Sequence, residues 1–80
     1  MEELDEIRYI KENEDKIISA LANYYKEFIE GKGMLLICYC IEDDLDFRMV
    51  FRYMKMNDFY IPKDDNQARE YLERIKELKD

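Results

Sequence analysis

The sequence predicts a small α+β domain in which helices pack on one face of a small antiparallel sheet. Three observations predict it. Residues 34–41 (MLLICYCI) form an unbroken apolar run between Gly31 and Gly33 on one side and Glu42-Asp43-Asp44 on the other, the signature of a buried strand. Residues 47–55 alternate: Phe47, Met49, Phe51 and Tyr53 share one parity, and Arg48, Val50, Arg52 and Met54 the other, as on the two faces of a strand. The segments before and after repeat with the longer period of a helix. The expected order is helix or helices, β-hairpin, short strand and helix, within one domain over residues 1–80.

Residues 2–30 read as helix, because Leu4, Ile7, Ile18, Leu21, Tyr25 and Phe28 recur at helical spacing. Lys11 and Glu14 interrupt the stripe and Asn13 is a candidate cap. The choice is between one long helix and a short helix followed by a main one from about Glu14 to Glu30. Gly31 and Gly33 supply the stop. In the hairpin, Phe47, Met49, Phe51 and Tyr53 are the expected core face, since the other set carries two guanidinium groups that need water or a partner.

The first strand has two possible registers. A five-residue loop, Glu42 to Asp46, puts Leu35, Ile37, Tyr39 and Ile41 on the core face; a tighter turn at Asp43-Asp44 puts Met34, Leu36, Cys38 and Cys40 there. The longer loop is preferred, because Asp-Asp lacks the glycine of a two-residue turn. Asn57-Asp58 then signals a turn, Phe59-Tyr60-Ile61 a short edge strand or buried loop, and Pro62 blocks further pairing. Asp64 with Gln67 reads as a capping box opening a helix over 65–79. Its buried stripe is Ala68, Tyr71, Leu72, Ile75 and Leu78, with Glu70 and Arg74 as an i,i+4 ion pair.

A chain of 80 residues builds one small domain that gains from association. Thirteen basic against 20 acidic residues give a net charge of -7. That argues against direct nucleic-acid binding and against an anionic membrane surface, and it suits a basic partner. The charged N-terminus is not a signal peptide, no apolar run spans a bilayer, and two cysteines fit a reducing, cytoplasmic setting. With no histidine and Ser19 as the only serine, Ser–His and Cys–His nucleophilic pairs are excluded. No enzyme and no cofactor are expected.

Four groups of residues are candidates for function. Cys38 and Cys40 fall on one face of the expected strand. They read as two small apolar side chains, with a four-thiolate metal site shared across a dimer as the alternative. Glu42, Asp43, Asp44 and Asp46 crowd one turn, which lacks the glycine and terminal glutamate of a calcium loop. They form a solvated tip or an acidic contact. Arg48 and Arg52 are outward cations, paired with nearby acids or holding a partner's carboxylate or phosphate. Seven tyrosines are many for this length, and Tyr9, Tyr24 and Tyr60 are the interface candidates.

The function these features imply is a small acidic protein-interaction module. Its expected partner surface comprises Glu42, Asp43, Asp44, Asp46, Arg48, Arg52 and Tyr24. A homodimer is expected through the semi-apolar outer sheet face, with Met34, Leu36, Cys38, Val50 and Met54 in contact. Acids at Glu2–Glu6, Glu12–Asp15 and Glu42–Asp46 suit inhibition of a nucleic-acid-handling protein by filling its basic groove. In size and charge the chain resembles small phage-encoded inhibitors, anti-CRISPR proteins among them. A divalent-metal or small-ligand protein using carboxylates and a structural subunit of a larger assembly are the alternatives.

Overall fold

The computed structural model describes residues 2–79, with side chains described from residue 5 onward; the expected stripe residue Leu4 and the acids Glu2 and Glu3 lie outside the described side chains. Four helices make up the fold: α1 (Glu2–Ile29), α2 (Leu36–Glu42), α3 (Phe47–Met56) and α4 (Asp65–Lys79). No strand occurs among the described residues, so the expected α+β class and its hairpin are corrected to an all-helical fold.

The reason lies in how the two middle segments bury their side chains. In α2 the buried residues are Leu36, Tyr39 and Cys40; in α3 they are Val50, Tyr53 and Met54. Both sets follow an i, i+3, i+4 spacing, one stripe of a helix. The alternation over 47–55 is also present, but its expected core members Phe47 and Phe51 stay exposed. A short apolar run satisfies both periods, so the chain's end signals decide between them.

Those signals are three C-terminal caps of one kind. After α1, Lys32 N–H donates to Glu27 O (2.9 Å) and Gly31 N–H to Phe28 O (3.1 Å), with Gly31 at φ 73°. After α2, Leu45 N–H donates to Cys40 O (2.8 Å) and Asp44 N–H to Ile41 O (3.1 Å), with Asp44 at φ 55°. After α3, Phe59 N–H donates to Met54 O (2.8 Å) and Asp58 N–H to Lys55 O (3.4 Å), with Asp58 at φ 56°. Each is a Schellman motif, in which one left-handed residue turns the chain and its neighbours' amides satisfy the last carbonyls. In the second and third, the residue after the turn and the one it caps are apolar and buried: Leu45 with Cys40, Phe59 with Met54. The Asp-Asp that reads as a hairpin turn is therefore a helix stop.

The helix starts are equally local. Asp46 caps α3, its carboxylate accepting from Arg48 N–H at 3.0 Å. Asp64 accepts from Gln67 N–H (2.9 Å) and the Gln67 side chain accepts from Lys63 N–H (2.8 Å), the reciprocal cap expected for α4. Asn13 caps nothing: its amide donates to Tyr9 O at 2.9 Å, four residues back, and α1 runs through it as one long helix.

The 28-residue α1 sets the 39 Å long axis, and each of the other three helices packs on it. Its buried face is Ile10, Ile17, Ile18, Leu21, Tyr24 and Tyr25; of the expected stripe Ile18, Leu21 and Tyr25 are buried, whereas Ile7 is exposed and Phe28 half-buried. Tyr24 meets the Tyr39 ring edge-on at 5.6 Å and so binds α2; Tyr25 lies 5.3 Å from Tyr71 of α4. The Tyr25 hydroxyl, in the middle of the core, donates to Tyr60 O at 2.9 Å, which settles the desolvation that burying a phenol would otherwise cost. Arg74, expected to pair with Glu70, instead turns its guanidinium to the backbone carbonyls of Asn57 and Asp58 and lies over the Phe59 ring at 4.5 Å.

Candidate functional site

The turn between α2 and α3 holds the acidic residues singled out by the sequence. Glu42, Asp43 and Asp44 close the C-terminal end of α2, where the helix dipole is already negative and carboxylates are unfavourable. Asp46 is different, since it opens α3 and sits at a positive pole. Its carboxylate accepts two further bonds from the Arg48 guanidinium, the Nη2–Oδ2 pair at 3.0 Å. Those bonds hold its pKa below the usual carboxylate range. The backbone N–H of Asp46 donates to the Tyr9 hydroxyl (2.9 Å), which fastens the turn to α1.

The fold brings a second acidic stretch to this turn. Asp43 lines a shallow depression of about 250 Å³ together with Asp15, Lys16 and Ser19 of α1. One carboxylate from each of two acidic clusters, Asp15 of 12–15 and Asp43 of 42–46, thus comes to one depression beside Lys16, although nearly 30 residues separate them in the chain. Among the described residues, no group of three or more His, Cys, Asp or Glu side chains is arranged to hold a metal ion.

Arg48 and Arg52 stand one turn apart on the outer side of α3 and both are held by the chain's own acids. Arg48 binds Asp46, and the Arg52 Nε contacts Glu6 Oε2 at 2.9 Å. With Asp5, Glu6 and Met49 they line an open groove of about 450 Å³ between α3 and the first turns of α1. The arrangement is that of outward cations paired with the chain's own acids.

Other expected site residues lie inside the protein. Tyr24 is 4% exposed and belongs to the core between α1 and α2, so it offers no partner surface. Leu36, Val50 and Met54, expected at a dimer interface, are core residues of the monomer, because a helical rather than a pleated period turns them inward. Met34 is exposed and Cys38 half-buried. The two thiols do not share a face: two positions apart on a helix they diverge by roughly 200°. Cys40 is fully buried, which raises its thiol pKa and removes it from any site shared between copies.

The apolar surface that does remain open is a different set. Ile37 and Ile41 are 37% and 72% exposed, Phe47 and Phe51 41% and 43%. Ile37 and Ile41 stand off the buried stripe Leu36, Tyr39, Cys40 of α2, and Phe47 and Phe51 off the buried stripe Val50, Tyr53, Met54 of α3. Phe47 and Phe51 meet edge-on at 5.9 Å. Reading Phe47 and Phe51 as a strand's core face hid this surface; the signal that finds it is the helical stripe Val50, Tyr53, Met54, which leaves both phenylalanines outside.

No helix among the described residues is long and apolar enough to cross a membrane. No family model matches the chain, and no curated protein or solved structure matches it.

Proposed function

We propose that this protein is a binding module that engages a protein partner with a basic surface, through the acidic turn Glu42–Asp44 and the adjoining Asp15 of α1. It acts by occupancy, as an inhibitor or regulator, and not as an enzyme. The observation that carries the reading is the meeting of Asp15 with Asp43 at the negative pole of α2, where Glu42 and Asp44 also stand. Carboxylates at that pole cost the fold about 0.3–1 kcal/mol each. A cationic partner turns that cost into attraction, since it meets the charges and the helix dipole together. A net charge of -7 adds long-range steering toward such a partner. Proteins that handle nucleic acids present grooves of this sign, which makes them the favoured partner class.

The test uses immobilised wild-type protein and an Asp43→Lys/Asp44→Lys variant as baits for lysate of the source cells. Basic nucleic-acid-binding proteins should be retained by the wild type, released between low and physiological salt, and lost from the variant. Equal retention by both baits would sink the reading. The variant should fold, because lysine is favourable at a helix C-terminus and that gain offsets the strain of a lysine in the left-handed conformation at position 44.

A further inference from the structure

The acidic turn is carried by a segment that the rest of the fold holds at few points. We propose that residues 32–44, α2 with the loop that leads into it, open and close as one unit on an otherwise intact protein, and that a basic partner at Glu42–Asp44 binds the closed form alone. α2 is then a gate on the acidic surface. The gating of the partner rests on the function proposed above; the opening of α2 stands apart from it.

Both ends of the unit are built as hinges. Gly31, at φ 73°, and Asp44, at φ 55°, are the left-handed residues that stop α1 and α2, and they bracket the segment. From Lys32 to Leu35 the chain is exposed throughout. Lys32 N–H donates to Glu27 O (2.9 Å), and Gly33 lies so close to α1 that a Cβ there would stand 3.1 Å from Phe28 Cα. Beyond this loop, the buried side chains Leu36, Tyr39 and Cys40 attach α2 to the core. The bond from Met34 N–H to the Tyr39 hydroxyl is internal to the segment. The Arg48–Asp46 and Arg52–Glu6 ion pairs fall beyond it, on α3 and its cap. A few side chains must therefore offset the conformational entropy that the whole stretch loses on ordering.

The neighbouring elements are better fastened, which confines the opening to this segment. α3 starts at the Asp46 cap, whose N–H donates to the Tyr9 hydroxyl (2.9 Å), and ends under the Arg74 guanidinium. α1 and α4 meet through the rings of Tyr25, Phe59 and Tyr71. Opening takes Asp43 away from Asp15 and dissolves the helix end at which Glu42 and Asp44 stand, so the acidic surface exists in the closed form alone. A ligand that needs that surface draws the population toward the closed form.

Cys40, fully buried on the core face of α2, reports the opening, because a neutral aromatic disulfide reaches its sulfur when α2 is open. In the full chain carrying Cys38→Ala, labelling of Cys40 should be faster by about tenfold or more than global unfolding allows. It should hardly accelerate in low urea, since a local opening exposes little surface. Gly33→Ala, which presses the loop off Phe28, should speed labelling several-fold. Leu35→Ser supplies the missing N-cap at an exposed position and should slow it about fivefold. An oligolysine peptide at about ten times its calorimetric Kd should slow it about elevenfold. Amide exchange on the unsubstituted chain gives a second reading. The amides of Asp43 and Leu45, which donate to Tyr39 O and Cys40 O, should exchange through the same opening, and those of Leu21 and Ile75 through global unfolding. Cys40 labelling and α2 exchange that both follow global unfolding overturn the gate, as do rates indifferent to Gly33→Ala and Leu35→Ser. Oligolysine that binds and leaves the labelling rate unchanged overturns it as well. Fast labelling with no oligolysine binding at all sinks the acidic-surface reading, and the gate with it, while the opening of α2 stands.

Discussion

Removing the Arg74 guanidinium should cost this protein a large part of its stability, although the residue lies at the surface of α4. The side chain donates to the carbonyls of Asn57 and Asp58, which end α3, and covers the ring of Phe59, the apolar residue of the α3 cap. Last-turn carbonyls have no partner within their own helix, and a cation at that end also meets the favourable pole of the dipole. Hydrogen bonds to a charged group contribute about 1.5–3 kcal/mol each when well buried. Arg74 is half-buried, so the low end applies to the pair, with about 0.5–1 kcal/mol for the ring contact. These are coupled, and the expected loss for Arg74→Ala is about 2–3 kcal/mol. For a domain this small, whose total is of the order of 5–10 kcal/mol, that is a quarter or more. The melting temperature should fall by roughly 10–20 °C. Arg74→Lys keeps the charge but not the two-pronged geometry and should recover about half. Urea denaturation followed by helical circular dichroism, with the midpoint shift read at constant m, measures both. A loss below about 0.5 kcal/mol for alanine, or lysine equal to wild type, would refute the view that Arg74 closes α3 onto α4.

Asp44 holds a left-handed conformation that glycine adopts freely, at the negative pole of α2, so Asp44→Gly should raise stability by about 0.5–1 kcal/mol in thermal unfolding; Asp58→Gly should gain less, since its carboxylate accepts from the Tyr60 hydroxyl at 3.2 Å. Asp46→Ala should cost about 1 kcal/mol as a lost helix cap, while Asp46→Asn keeps the cap. Hydrogen bonding from Arg48 lowers the Asp46 pKa in the fold, so its ionic contribution is present above the unfolded value near 3.9 and disappears as pH falls through the folded value. Wild type and Asp46→Asn should therefore converge in stability as the pH is lowered past the unfolded value of about 3.9, and parallel curves would contradict the assignment. Cys40→Ala should cost about 1–2 kcal/mol and Cys38→Ala under about 0.5; in the folded protein a thiol reagent should modify Cys38 first, and equal rates would refute the burial difference.

The outer elements were legible and the middle ones were not, for one physical reason. In α1 and α4 the apolar stripe extends over many turns, so the period is unambiguous, and Gly31 and the Asp64–Gln67 pair mark a stop and a start in standard residues. The α2 and α3 segments are seven and ten residues long, and over that length a period of two and one of 3.6 both find matches. Their stops use aspartate where glycine is usual, so Asp43-Asp44 and Asn57-Asp58 read as strand turns. The apolar residue after each, Leu45 and Phe59, is the sign that distinguishes a Schellman cap from a hairpin. The acidic surface was half legible: its residues are obvious in the sequence, but the meeting of Asp15 with Asp43 depends on α2 lying antiparallel along α1.

The proposed acidic surface falls on the end of α2, and α2 is the element with least local support. It is seven residues long, its N-terminal Leu35 provides no side-chain cap, and no acid sits in its first turn to meet the dipole. Three acids crowd the opposite end, where they oppose it. A helix of two turns does not persist in isolation, so what holds α2 is tertiary. The Tyr39 ring sits against Tyr24, the Tyr39 hydroxyl accepts from Met34 N–H at 3.2 Å, and Leu36 and Cys40 are buried. Local stability that depends on packing alone lies at the low end of a protein's range, where binding elements are commonly found. A basic partner on Glu42–Asp44 relieves the charge that opposes this dipole. Occupation of the acidic surface therefore favours the ordered α2, and partner binding should be coupled to the stability of the weakest element of the fold.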